Sequence, residues 1–117
     1  MQHGTPGENG LMQGYLEMLG VPHSGCNAFV SAITFDKFSC KSYLKDVDFV
    51  KCADDLFLRK GESVEGLAQK AVEKLGLPMF VKPTDGGSSF GVTKVKSVED
   101  FDKAVEYAFS EGNMLIA

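Results

Sequence analysis

The sequence predicts an α/β domain of the α+β kind, with helices covering one short sheet. Three observations carry that expectation. Apolar residues recur at helical spacing in several windows, and short apolar runs at 79–81, 92–95 and 114–117 are bounded by glycine, proline or charge. From residue 36 onward these elements follow the order helix, strand, helix, strand, loop, strand, helix, strand, which suits helices layered on a sheet.

Residues 3–10, with Gly4, Pro6, Gly7 and Gly10, read as a loop. The helix after it, over 11–19, is read from the stripe Leu11, Met12, Tyr15, Leu16, Met18 and Leu19, closed by Gly20 with Pro22 beyond. Asn27 caps a short helix through Ala28, Phe29, Ala32 and Ile33, and Asp36 caps another through Leu44. Residues 47–58 alternate loosely and are expected to be extended. Ser63 is expected to cap a helix whose face is Leu67, Ala68, Ala71, Val72 and Leu75, ended by Gly76 and Pro78.

A buried strand at 79–81 leaves through Lys82 and Pro83, a glycine-serine loop follows at 86–91, and a second strand lies at 92–95. Ser97 and Asp100 have capping-box spacing ahead of a helix built on Phe101, Ala104, Val105, Ala108 and Phe109, which runs to Gly112. Residues 114–117 open another strand. No internal repeat or low-complexity segment interrupts this order.

Composition narrows the function. The 117 residues carry 12 basic and 16 acidic side chains, a net charge of −4, and no basic cluster longer than Arg59-Lys60. Nucleic acid and anionic membrane are therefore not expected partners. At 44% hydrophobic and 24% charged, the chain is too apolar for disorder and too interrupted by charge for a membrane span. Cys26, Cys40 and Cys52 are odd in number, with no CxxC pair and no histidine at ligand spacing, so reduced thiols in the cytoplasm fit them best. Residues 1–8 lack the basic and apolar regions of a secretory signal. A chain that opens two residues before a glycine-rich loop and stops inside an apolar run is expected to be a piece of something longer.

Two places could do chemistry. Lys82 leaves a buried strand and is followed by Gly86, Gly87, Ser88, Ser89 and Gly91. In such a loop glycine lets backbone N–H groups approach phosphate oxygens, serine hydroxyls donate, and the ammonium supplies a point charge. Neither the P-loop nor the GxGxxG spacing is present. A β-hairpin with a glycine-rich turn and a snorkelling lysine explains the same residues. At the other end, His3 and Glu8 flank a loop that opens a helix, a favourable place for an anion, although on these residues alone the simpler account is that Glu8 complements the helix dipole and His3 is exposed. Asp36-Lys37 could likewise be an N-cap and an exposed side chain.

Taken together, HGTPGENG at 3–10, LMQGYLEMLGVPHSG at 11–25, SAITFDKFSCK at 31–41, LGLPMFVKP at 75–83 and GGSSFGVTKV at 86–95 resemble D-alanine–D-alanine ligases, members of the ATP-grasp enzymes. The resemblance covers the middle third of that family. It implies the end of an α/β substrate domain over residues 1–30, then the small ATP-grasp subdomain over 31–117 with helices on a short mixed or antiparallel sheet. It implies His3, Glu8 and Ser88 at catalytic positions, His3 meeting the first D-alanine and Glu8 orienting His3. Lys37, Lys82, Gly87, Ser88 and Ser89 would bind ATP. Phe90 stands where the family usually has an aliphatic residue, and Gly86 where some members have an acidic one.

Further implications concern the complete enzyme. Its ligands for Mg2+ are expected downstream of Ala117, with none in this stretch, and Ala117 itself falls near a family glutamate that meets the nucleotide. Such enzymes are cytoplasmic homodimers that join two D-alanines through D-alanyl phosphate for peptidoglycan, and this stretch alone is expected to be inactive. A D-alanine–D-lactate or D-serine ligase of the same family, or a nucleotide-binding module without ligase activity, remain open alternatives.

Overall fold

A computed structural model of the chain describes residues 3–112 and 114–116. The chain divides between Val50 and Lys51 into two compact units.

The first unit is helical. Helices α1 (Leu11–Met18), α2 (Ala28–Phe35) and α3 (Lys37–Leu44) follow one another, with α2 packed against both neighbours. Helix α1 ends as expected. Gly20 takes φ 66°, its N–H donates to Glu17 O, and the Val21 N–H reaches back to Leu16 O, which satisfies two otherwise orphaned carbonyls. Asn27 and Asp36 are the expected caps, their carboxamide and carboxylate oxygens accepting from Val30 N at 2.8 Å and Ser39 N at 2.7 Å. Gly10, at φ 90°, is where the entering loop meets α2. A β-carbon there would lie 2.4 Å from the Ala28 carbonyl oxygen, so only glycine permits the approach.

The second unit carries the sheet. Strand β1 (Phe57–Arg59) leads to α4 (Leu67–Leu75), then β2 (Met79–Pro83), β3 (Thr93–Val95), a 3-10 turn at Val98–Asp100, α5 (Phe101–Glu111) and β4 (Met114–Ile116). The strands are antiparallel throughout, in the order β1-β4-β2-β3. Register sets Leu58 opposite Leu115 and Leu115 opposite Pro83, with Met79 opposite Val95. One face of this sheet is covered by α5, and Leu58, Leu67, Ala71, Met79, Val81, Val95, Phe101, Ala104, Val105 and Ala108 form the core. Burial of Phe101 alone is worth about 1.5–3 kcal/mol.

Three expectations are corrected. Residues 47–56 are turns and irregular chain, and only Phe57–Arg59 is strand. Strand β1 pairs with β4 through Phe57, Leu58 and Arg59, at one end of the strand order among the described residues. Gly66, at φ 67°, caps α4 in place of Ser63, whose hydroxyl accepts from Glu65 N three residues before the cap turn completes. Ser97 and Asp100 do meet, but side chain to side chain at 3.1 Å, and a 3-10 turn intervenes before α5. The expected strand residue Ala117 lies outside the described residues.

Candidate functional site

In the first unit the loop ahead of α1 is tied to itself. The Glu8 carboxylate accepts from Gly4 N at 2.5 Å, Glu8 N donates to Gly4 O at 2.8 Å, and Asn9 Nδ2 donates to Thr5 Oγ1 at 3.0 Å. His3 Nδ1 stands 3.6 Å from Glu8 Oε1 with most of the imidazole open to solvent. The chain thus brings His3 and Glu8 together, with the carboxylate fixed by backbone and the imidazole exposed for contact. Lys37 is the first residue of α3. A cation in that turn opposes the helix dipole by about 0.3–1 kcal/mol.

In the second unit, alternation along β2 buries Met79, Val81 and Pro83 and turns Phe80 and Lys82 to the face opposite α5. Backbone register sets Lys82 opposite Ile116, Ile116 opposite Phe57, and Phe80 opposite Lys94. Phe80 is 51% exposed, with Lys94 Nζ 5.8 Å from its ring centre, while the Arg59 guanidinium lies 5.4 Å from that of Phe57. Sequence reading found Lys82 on this surface but missed Phe57, Arg59, Phe80 and Lys94. The period-2 pattern through Lys82 was the signal that would have found Phe80. Planar rings among cations suit a nucleotide, apolar base and anionic tail together.

The loop after β2 ends on this unit's edge. Phe90 N donates to Gly87 O at 3.2 Å around Ser88 and Ser89, which take φ 50° and 62°. Both central residues therefore hold the positive φ of a type I′ turn, which usually selects glycine or asparagine. Gly91 must be glycine, because at φ 71° a β-carbon would meet Pro83 Cγ at 2.8 Å. Ser88 and Ser89 are exposed, and Gly87 is half-buried beside them. The structure thus gives an antiparallel β2–β3 pair whose connection carries a serine turn at positive φ.

Concavities within each unit lie elsewhere. One of about 540 Å³ is lined by Gly61, Val64, Val105 and Phe109, and an apolar cleft of about 170 Å³ by Phe29, Ile33, Cys40 and Tyr43. None of the seven expected site residues lines either. Among the described residues no group of three His, Cys, Asp or Glu side chains is placed to hold a metal ion. No helix among them is long and apolar enough to cross a membrane.

An antiparallel sheet covered on one face by helices, its other face carrying aromatic and cationic side chains, with a glycine-serine turn between β2 and β3, is the architecture of the ATP-grasp fold class. The family model described as "D-ala D-ala ligase C-terminus" matches residues 44–117. The chain is 53% identical over 111 residues to the D-alanine–D-alanine ligase of Phocaeicola vulgatus and 54% identical over 114 residues to that of Parabacteroides distasonis. Those matches cover 95% and 97% of this chain but 33% and 34% of the relatives. Among solved structures, the D-alanine–D-alanine ligase of Coxiella burnetii superposes with a TM-score of 0.88 at 34% identity over 97% of this chain and 34% of its own. The VanG D-Ala:D-Ser ligase of Enterococcus faecalis gives 0.85 at 34% identity over 97% and 33%. The chain belongs to the D-alanine–D-alanine ligase family, and it spans about a third of the length of the curated relatives it matches.

Proposed function

We propose that this chain is the middle third of an ATP-dependent D-alanine–D-alanine ligase. The carrying observation is Lys82 on the sheet face opposite α5, leading into two serines held at positive φ. In this reading a carboxylate oxygen of the first D-alanine attacks the γ-phosphorus of ATP, and ADP leaves. The amino group of the second D-alanine then attacks the acyl carbon of D-alanyl phosphate, and phosphate departs with the dipeptide, which feeds peptidoglycan.

Lys37 and Lys82 would neutralise nucleotide charge, and Gly87, Ser88 and Ser89 would donate to the phosphates. His3 would meet the first D-alanine, held by Glu8. Residues 1–30 would close the substrate domain and 31–117 form the small ATP-grasp subdomain. Mg2+ would be held by residues downstream of Ala117. The complete enzyme would work in the cytoplasm as a homodimer.

The test places residues 3–116 in the full-length Phocaeicola vulgatus ligase, replacing the matching segment, and measures D-alanine-dependent phosphate release. Turnover is expected with D-alanine as second substrate, above that with D-lactate or D-serine. Lys82→Ala should raise KM for ATP about tenfold or more, because a charge-assisted bond is worth about 1.5–3 kcal/mol. ATP binding without product would favour the module without ligase activity, and unchanged kinetics in Lys82→Ala would remove that lysine from the site.

A further inference from the structure

The start of α2 is where the parts of the first unit that bear site residues converge. Its first helical N–H, that of Ala28, donates to Glu17 Oε1 at 3.0 Å, across eleven residues of sequence. The same oxygen stands 3.7 Å from His23 Nε2, and the His23 side chain is only 18% exposed. Carboxylate at a helix N-terminus is favoured by the dipole and by the donors there. Asn27 separately satisfies Val30 N, so Glu17 serves a group that the local cap leaves open.

Ala28 is also the residue whose carbonyl oxygen lies against Gly10, the last residue of the loop holding His3 and Glu8. From Ala28, α2 runs to Asp36, which caps the helix that Lys37 begins. The position of Ala28 is therefore shared between the His3–Glu8 loop and Lys37.

We propose that Glu17, backed by His23, is a positioning residue: it clamps the first turn of α2 and so sets the His3–Glu8 loop and Lys37 relative to each other. This rests on the ligase reading for its kinetic consequence and on geometry alone for the clamp. Glu17→Ala removes the acceptor, whereas Glu17→Gln keeps an amide oxygen for the Ala28 N–H and removes only the charge.

The clamp is read first in the 117-residue chain by amide hydrogen exchange at Ala28. Glu17→Ala is expected to lose about tenfold in protection there, and Glu17→Gln to stay within about threefold of the parent. In the full-length chimera, Glu17→Ala should raise KM for ATP and for D-alanine together by about tenfold with kcat within about threefold, and Glu17→Gln should restore most of both. A purely structural role would lower the folded fraction and hence apparent kcat while leaving KM alone, and that result overturns the proposal. So does native exchange at Ala28 in Glu17→Ala, or equal impairment in the two variants. An inactive parental chimera would sink the ligase reading and with it the kinetic role, while exchange at Ala28 still decides the clamp.

Discussion

Ser88 and Ser89 sit at φ 50° and 62°, a region that costs a side-chain-bearing residue about 1–2 kcal/mol. Glycine would relieve that strain at an entropic cost of about 0.5–1 kcal/mol. Ser89→Gly is therefore expected to stabilise the chain by up to about 1 kcal/mol, seen as a thermal midpoint a few degrees higher. A lower midpoint would mean that the serine side chain stabilises the turn by more than its backbone strain. Gly10 has the opposite sensitivity. Gly10→Ala places a β-carbon 2.4 Å from the Ala28 carbonyl oxygen at φ 90°, and should destabilise the first unit by more than about 2 kcal/mol in urea unfolding. The backbone requirement at Gly10 is invisible in sequence, where it is one glycine among three in a loop.

At the scale of elements, helices were legible and their junctions less so. Helix α4 runs over Leu67–Leu75 with the apolar face that spacing implied, because 3.6-residue periodicity survives any particular neighbour. Its cap was misassigned to Ser63, since Gly66 can take φ 67° and the chain turns there instead. The turn before α5 shows the same competition. Glu99 is held below its ordinary value of 4.5, first by a backbone hydrogen bond and then by the Ser97 hydroxyl, which also lies 3.1 Å from Asp100 Oδ2. A carboxyl depressed in the folded state adds stability above its unfolded pKa and loses it as pH falls through the folded one. Ser97→Ala should accordingly lower the thermal midpoint at neutral pH, with the gap to the parent narrowing as pH drops below 4.5. A gap that does not change with pH would assign the serine to the turn alone.

At the scale of the whole molecule, the chain has one third of its relatives' length, and apolar side chains on its surface. Helix α1 has no buried residue, with Leu11, Tyr15 and Met18 more than half exposed. Side chains of that size clustered in water favour association, so light scattering of the 117-residue chain should report species larger than a monomer as concentration rises. A single monomeric species at high concentration would count against it. The same chain should release no phosphate from ATP in the presence of D-alanine, because it spans only about a third of the length of the ligases it matches. Release above a blank without protein would overturn that expectation.

Periodicity, caps and glycine-proline punctuation by themselves determined the order of helices and strands, since these are local properties of the backbone and of which side must be buried. The motif blocks likewise determined the family, and pointed to Lys82 and the serine loop. Chain packing selects the sheet face that α5 covers: the helix lies on Met79, Val81 and Val95, and Phe80 and Lys82 fall on the opposite face. The register that sets Phe57, Ile116 and Lys82 in one row, and the approach of Ala28 to both Glu17 and Gly10, join residues far apart in sequence. Contacts of that kind are set by chain packing, and no local pattern encodes them.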